Sequence, residues 1–147
     1  MNNNKKFDER QLWIRGNIFQ HMVIIFVVLL FINAFLTSYD IIWANGFHSS
    51  IIIILIAGAI GSIEMIFRGV YSPDVKMQIF VISVIGGSSL VSLILNIIHV
   101  INGEELILNG ILTDNGGFLI MSVFIFSIGL CGLIKLLFDK FKKKEKE

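Results

Sequence analysis

The chain has 147 residues, of which 55% are hydrophobic and 16% charged, with a formal net charge of +1. Soluble domains run to about 45–50% apolar and about 25% charged residues, so this composition argues against an ordinary soluble domain. The near-balanced charge argues against a general nucleic-acid footprint, and the single cysteine, Cys131, rules out an internal disulfide or a cysteine metal cluster.

The first stretch, FDERQLWIRGNIFQH, carries the charged residues Asp8, Glu9, Arg10 and Arg15. Asp8 and Gln11 stand at capping-box spacing. A helix therefore begins near Asp8, or a separate interfacial helix breaks at Gly16. Phe7, Ile14 and Ile18 fall on one helical face. The first apolar block covers residues 19–37 and holds Asn33. It is close to the ~20 residues that cross a ~30 Å hydrocarbon core. It lacks a small-residue cleavage site, so it reads as a retained span.

The second block, 50–67, contains Ala57 and Gly61, and Gly58 and Ser62, each pair four apart. Small residues at that spacing let helix backbones approach closely in lipid. Near its end comes Glu64, one turn before Arg68. This Glu-to-Arg order is the favourable one for a helical ion pair. Lys135, at similar depth in the fourth block, is a competing partner. Glu64 is thus either a structural, paired carboxylate or a proton- or ion-coupling one.

The third block, 78–101, places Ser88, Ser92 and Asn96 on one polar stripe, which His99 extends imperfectly. Asn33, Ser88, Ser92 and Asn96 are the candidate intramembrane polar residues, with Asn33, Asn96 and His99 as a potential polar layer in the outer half. The following loop, 102–117, sets Asn109-Gly110 between the apolar triplets LIL and ILT. That is a hairpin signature, although a short interfacial helix is the other reading. The fourth block, 118–138, adds Ser122, Gly129 and Gly132, then runs into a basic amphipathic end suited to anionic lipid headgroups.

All twelve basic residues fall in three places. Lys5, Lys6, Arg10 and Arg15 precede the first span. Arg68 and Lys76 lie between the second and third. Lys135, Lys140, Lys142, Lys143, Lys144 and Lys146 close the chain. The other two loops hold Asp40, Glu104, Glu105 and Asp114 but no Lys or Arg. The positive-inside rule then puts both termini in the cytoplasm. Trp13 and Tyr71 flank that interface, and Tyr39 and Trp43 the outer one, as amphipathic rings do. The expected fold is an all-α, integral-membrane four-helix bundle forming one membrane domain, with a small outer hairpin between helices three and four.

Cys-x-x-Cys, His-Glu-x-x-His and phosphate-binding glycine loops are missing. No catalytic residue, metal or cofactor is predicted, and the expected role is non-enzymatic. It is an interaction, regulatory or oligomer-forming subunit, working with copies of itself or a membrane-protein partner. The alternative is a small transporter or channel using Glu64 as a coupling carboxylate. The segments DERQLWIRGNIFQH, INAFL and GSIEMIFRGVY resemble a family of small bacterial membrane proteins of unknown function, mainly from low-GC Gram-positive bacteria. The resemblance covers roughly the first half of the chain. It implies a multi-span protein of the bacterial plasma membrane and no particular activity. It marks Asp8, Glu9, Arg10, Arg15, Glu64 and Arg68 as pattern positions.

Overall fold

A computed structural model describes residues 6–72 and 74–144. Lys5, Pro73 and Lys146, together with the side chains of Lys143 and Lys144, lie outside the described set. Four helices dominate: α1 (Glu9–Ser38), α2 (Gly46–Phe67), α3 (Val75–Ile101) and α4 (Asp114–Lys144). Each is long and apolar enough to cross a membrane. Between α3 and α4 lies a hairpin of β1 (Ile107–Leu108) and β2 (Ile111–Leu112).

The helices extend beyond the apolar blocks because their caps sit in the polar flanks. Asp8 accepts from the Gln11 amide at 2.6 Å, and the Gln11 side chain accepts from the Asp8 amide at 3.1 Å. This reciprocal box satisfies two free N–H groups of the first turn. From there α1 runs unbroken through Gly16. A glycine in a helix interior costs only about 0.5–1 kcal/mol relative to alanine, too little to break a helix anchored on both sides. Asn45 caps α2 through the His48 amide, and Asp74 caps α3 through the Lys76 amide.

The helix ends are equally explicit. At the close of α2 the Gly69 amide bonds Ile66 O and the Val70 amide bonds Met65 O. That double bond is a Schellman motif, which needs a left-handed residue after the cap. Gly69 supplies it, at φ +69°. The motif folds Val70 back onto Met65, and both are buried with Ile18 of α1.

The hairpin turn is Asn109-Gly110, at φ +52° and +82°. Left-handed conformations at both central residues define the turn that matches strand twist. Ile107 pairs with Leu112, and Leu108 with Ile111. The hairpin also docks on the α1–α2 connection, where the Leu112 amide donates to Trp43 O at 2.8 Å.

The extensive helix contacts are α1 with α2, α2 with α4, and α4 with α3. The helices therefore stand in the spatial order α1–α2–α4–α3. Arg15, early in α1, meets Val70, just past the end of α2, so these two are antiparallel. His48 of α2 meets Phe118 of α4, both near helix starts, so those two are parallel. Ser92 of α3 meets Ser122 of α4, and Ile82 meets Gly132, so α3 and α4 are antiparallel. The start of α1, the α2–α3 connection and the end of α4 consequently share one end of the molecule.

Small residues set the spacing along this row. Gly61 lies against Met22, where a Cβ would overlap the sulfur. Gly86 and Gly129 bring α3 and α4 into backbone contact, and Gly132 leaves room for the fully buried Ile82.

Candidate functional site

The charged residues of the shared end form a tether between α1 and α2. Arg15 is half-buried and donates to Val70 O at 3.0 Å and Tyr71 O at 3.4 Å. Its guanidinium lies 4.2 Å from the centre of the Phe7 ring, within cation–π range. Arg15 thus satisfies two carbonyls of the connection that follows α2. Asp8 is the α1 cap, Glu9 is the acid of its first turn, and Arg10 is exposed.

Glu64 accepts from Arg68 Nη2 at 2.7 Å, one turn on, and lies 3.5 Å from His21 Nδ1 of α1. Its side chain keeps 24% exposure, so the neighbouring helices do not enclose it completely. Lys135 does not join this group. It pairs with Asp139 of its own helix at 2.7 Å, because an i,i+4 partner is reached without a cross-helix span. His21 was not among the expected partners. Sequence spacing reveals i,i+4 neighbours on one helix, but not which face of α1 meets Glu64.

The expected polar stripe divides. Ser92, Asn96 and Ser122 do come together across α3 and α4. The two serine hydroxyls are 2.9 Å apart, and Asn96 Nδ2 donates to Ser122 Oγ at 2.9 Å and to Ser92 O at 2.8 Å. Ser88 does not take part: it is exposed and bonds back to Ile85 O, while its neighbour Ser89 is buried. Asn33 is also elsewhere, with Oδ1 accepting from Trp43 Nε1 at 2.8 Å. A single polar layer of Asn33, Asn96 and His99 is therefore absent. The row order explains this, since α1 and α3 stand at its opposite ends. The Ser92–Asn96–Ser122 group opens on a cleft of about 390 Å³, completed by Leu95, His99, Phe118, Met121 and Ile125.

At the opposite end from Arg15, a second tether joins α2 to α4. His48 is 3% exposed. Its Nδ1–H donates to Asn45 Oδ1 at 3.0 Å and lies 3.3 Å from Asp114 Oδ1. Asn45 Nδ2 also reaches Asp114 Oδ1, at 3.0 Å. His48 Nε2 is buried without a partner among the described residues. Its ring meets Phe47 and Phe118 edge-on, and Gly117 leaves it room. Sequence reasoning missed this histidine. The signal lay in Asn45, an N-cap residue three positions ahead. Nearby, Glu104 bonds His99 Nδ1 at 2.7 Å and Asn115 Nδ2.

A further groove of about 290 Å³ lies between α1 and α2, lined by Phe19, Met22, Val23, Phe26, Ile54, Ala57 and Gly58. It is wholly apolar, so it can take a hydrocarbon chain but cannot orient a polar reactant. Among the described residues, no group of three or more His, Cys, Asp or Glu side chains is placed to hold a metal ion. Comparison with protein-family models, curated proteins and solved structures finds no match to this chain.

Proposed function

We propose that this chain is a multi-pass protein of the bacterial plasma membrane, with both termini cytoplasmic, that acts without catalysis by associating with other membrane helices. Orientation rests on charge: every Lys and Arg falls before the apolar block of α1, between the blocks of α2 and α3, or from Lys135 onward. Lys140 and Lys142, exposed late in α4, would face anionic headgroups.

One observation carries the interaction role. Among the described residues, the row leaves α1 with α2 as its only extensive helix neighbour, and α3 with α4 as its only one. Two long apolar faces therefore remain outside the molecule's own packing. Lipid gives no hydrophobic preference for closing such faces, so dispersion and shape decide which helices meet there. The occupant is a second copy or another membrane protein.

The test starts from a Cys131→Ala background. Single cysteines replace Phe31 on α1 or Val91 on α3, both exposed, and are cross-linked in native membranes. Adducts at either position are expected. A chain that stays monomeric at both positions, and across mild detergents, overturns the reading.

A second reading draws on the His21–Glu64 contact, which sets an ionisable ring of α1 3.5 Å from a carboxylate within a candidate span of α2. The chain would then be a small transporter or channel with Glu64 as its coupling group. Proteoliposome flux that Glu64→Gln abolishes, with expression and melting unchanged, would favour it. Absence of cation or drug flux in the unmodified protein removes it.

A further inference from the structure

The α3–α4 cleft has a one-sided hydrogen-bond inventory. An asparagine amide offers two N–H donors and one carbonyl acceptor. Asn96 Nδ2 is engaged by Ser92 O and Ser122 Oγ. The bond to a backbone carbonyl fixes which end of the amide is nitrogen. Ser122 Oγ donates to Phe118 O at 2.8 Å, leaving the Ser92 hydroxyl to donate to Ser122. The donors are thus all engaged, whereas Asn96 Oδ1 receives no bond among the described residues. A molecule entering the cleft meets an acceptor and no free donor from this group.

Charge at the mouth points the same way. His99 lines the cleft and is bonded to Glu104 at 2.7 Å. The connections at this end carry Asp40, Glu104, Glu105 and Asp114, and neither Lys nor Arg. Leu95, Phe118, Met121 and Ile125 make the remaining wall apolar. Asn96 sits five residues before the end of α3, roughly 7–8 Å inside it at about 1.5 Å per residue. An occupant can therefore keep its head near the aqueous end and its body among hydrocarbon side chains.

We propose that this cleft binds amphiphilic amines: a primary or secondary ammonium head that donates to Asn96 Oδ1 under the field of Glu104, on an apolar body lying against Leu95, Phe118, Met121 and Ile125. The site is independent of the association proposed above, because it is read by ligand binding and not by cross-linking. Two sources share this chemistry, an aminolipid headgroup and a soluble amine.

The probe is dansylcadaverine, a primary amine on an aromatic body, titrated into the full-length protein in phosphatidylcholine nanodiscs. Its control carries the same body ending in a methyl group. The amine binds tighter than the control by about tenfold or more, as a charged hydrogen bond implies. Asn96→Leu, which removes the acceptor, brings the amine down to the control. Met121→Phe fills the cleft from the other wall and weakens both probes, and Glu104→Gln weakens the amine alone. Should Asn96→Leu lose its helical signal, Met121→Phe and Glu104→Gln decide the matter. Equal binding of the two probes, or undiminished amine binding in the folded variants, overturns the proposal. Replacing part of the phosphatidylcholine with phosphatidylethanolamine separates the sources. Competition supports the site with a lipid amine as occupant, and unchanged affinity supports it with a soluble one.

Discussion

The close approach of α3 and α4 at Gly86 and Gly129 makes an asymmetric prediction about alanine. A Cβ built on Gly129 would lie 2.6 Å from Gly86 Cα and 3.1 Å from Gly86 N, both backbone atoms. A Cβ built on Gly86 would lie 3.6 Å from Gly129 Cα, an ordinary contact. The two substitutions are chemically identical and sit on the same interface. Each gains about 1 kcal/mol of helix propensity, which cancels in the comparison. What remains is that the 2.6 Å approach must open to an ordinary contact of 3.4–4 Å for Gly129→Ala alone. Overpacking of that kind costs about 1–3 kcal/mol, because the parted helices lose dispersion contacts along the seam. Gly129→Ala is therefore less stable than Gly86→Ala by about 1–3 kcal/mol. Reversible unfolding in mixed micelles with increasing SDS, followed by circular dichroism, measures the difference. Equal stability, or Gly86→Ala as the weaker variant, refutes the close approach.

The tethers give further tests. Arg15→Met strands the Val70 and Tyr71 carbonyls and costs about 1–3 kcal/mol, read as a lower melting temperature in detergent; a wild-type melt would argue against the tether. Asn45→Ala removes the α2 cap and the link to Asp114, costing about 1–2 kcal/mol by the same assay. Asp40 stands at φ +57° in the position after the α1 cap. A glycine there relieves left-handed strain, so Asp40→Gly raises stability by about 0.5–1 kcal/mol, and a destabilised variant would contradict the geometry.

The sequence announced its elements more clearly than their neighbours. Apolar blocks of spanning length mark four helices, and the Asp8–Gln11 spacing marks where α1 begins. Asn109-Gly110 specifies the hairpin because few residue pairs accept two consecutive left-handed conformations. Gly69 and Gly103 end α2 and α3 because each takes the single left-handed conformation that follows a helix cap, at φ +69° and +92°. The order α1–α2–α4–α3 was not legible. Lipid-compatible helices carry little periodic contrast between inner and outer faces, so hydrophobic pattern does not address one helix to another. Hence Asn33 found Trp43 instead of Asn96, and Glu64 found His21. Both results depend on which helices touch, and that depends on glycines whose partners no spacing names.

The same physics predicts how perturbations combine. Arg15 ties α1 to α2 at one end, and Asn45 ties α2 to α4 at the other. The 22 residues of α2 separate them, about 30 Å at 1.5 Å per residue. Sites so far apart without shared partners add within about 0.3–0.5 kcal/mol, so Arg15→Met with Asn45→Ala should lose the sum of the two single effects. Gly129→Ala and Ser122→Ala instead act on one seam. Once Gly129→Ala has parted α3 from α4, the hydroxyl contact between Ser92 and Ser122, now 2.9 Å, is already lengthened. Removing the Ser122 hydroxyl then takes away less than it does in the intact seam. The double variant should lose less than the sum, by roughly 0.5 kcal/mol or more. Strict additivity at this second pair would mean that the glycine contact and the serine contact yield separately, and that the α3–α4 seam does not behave as one unit.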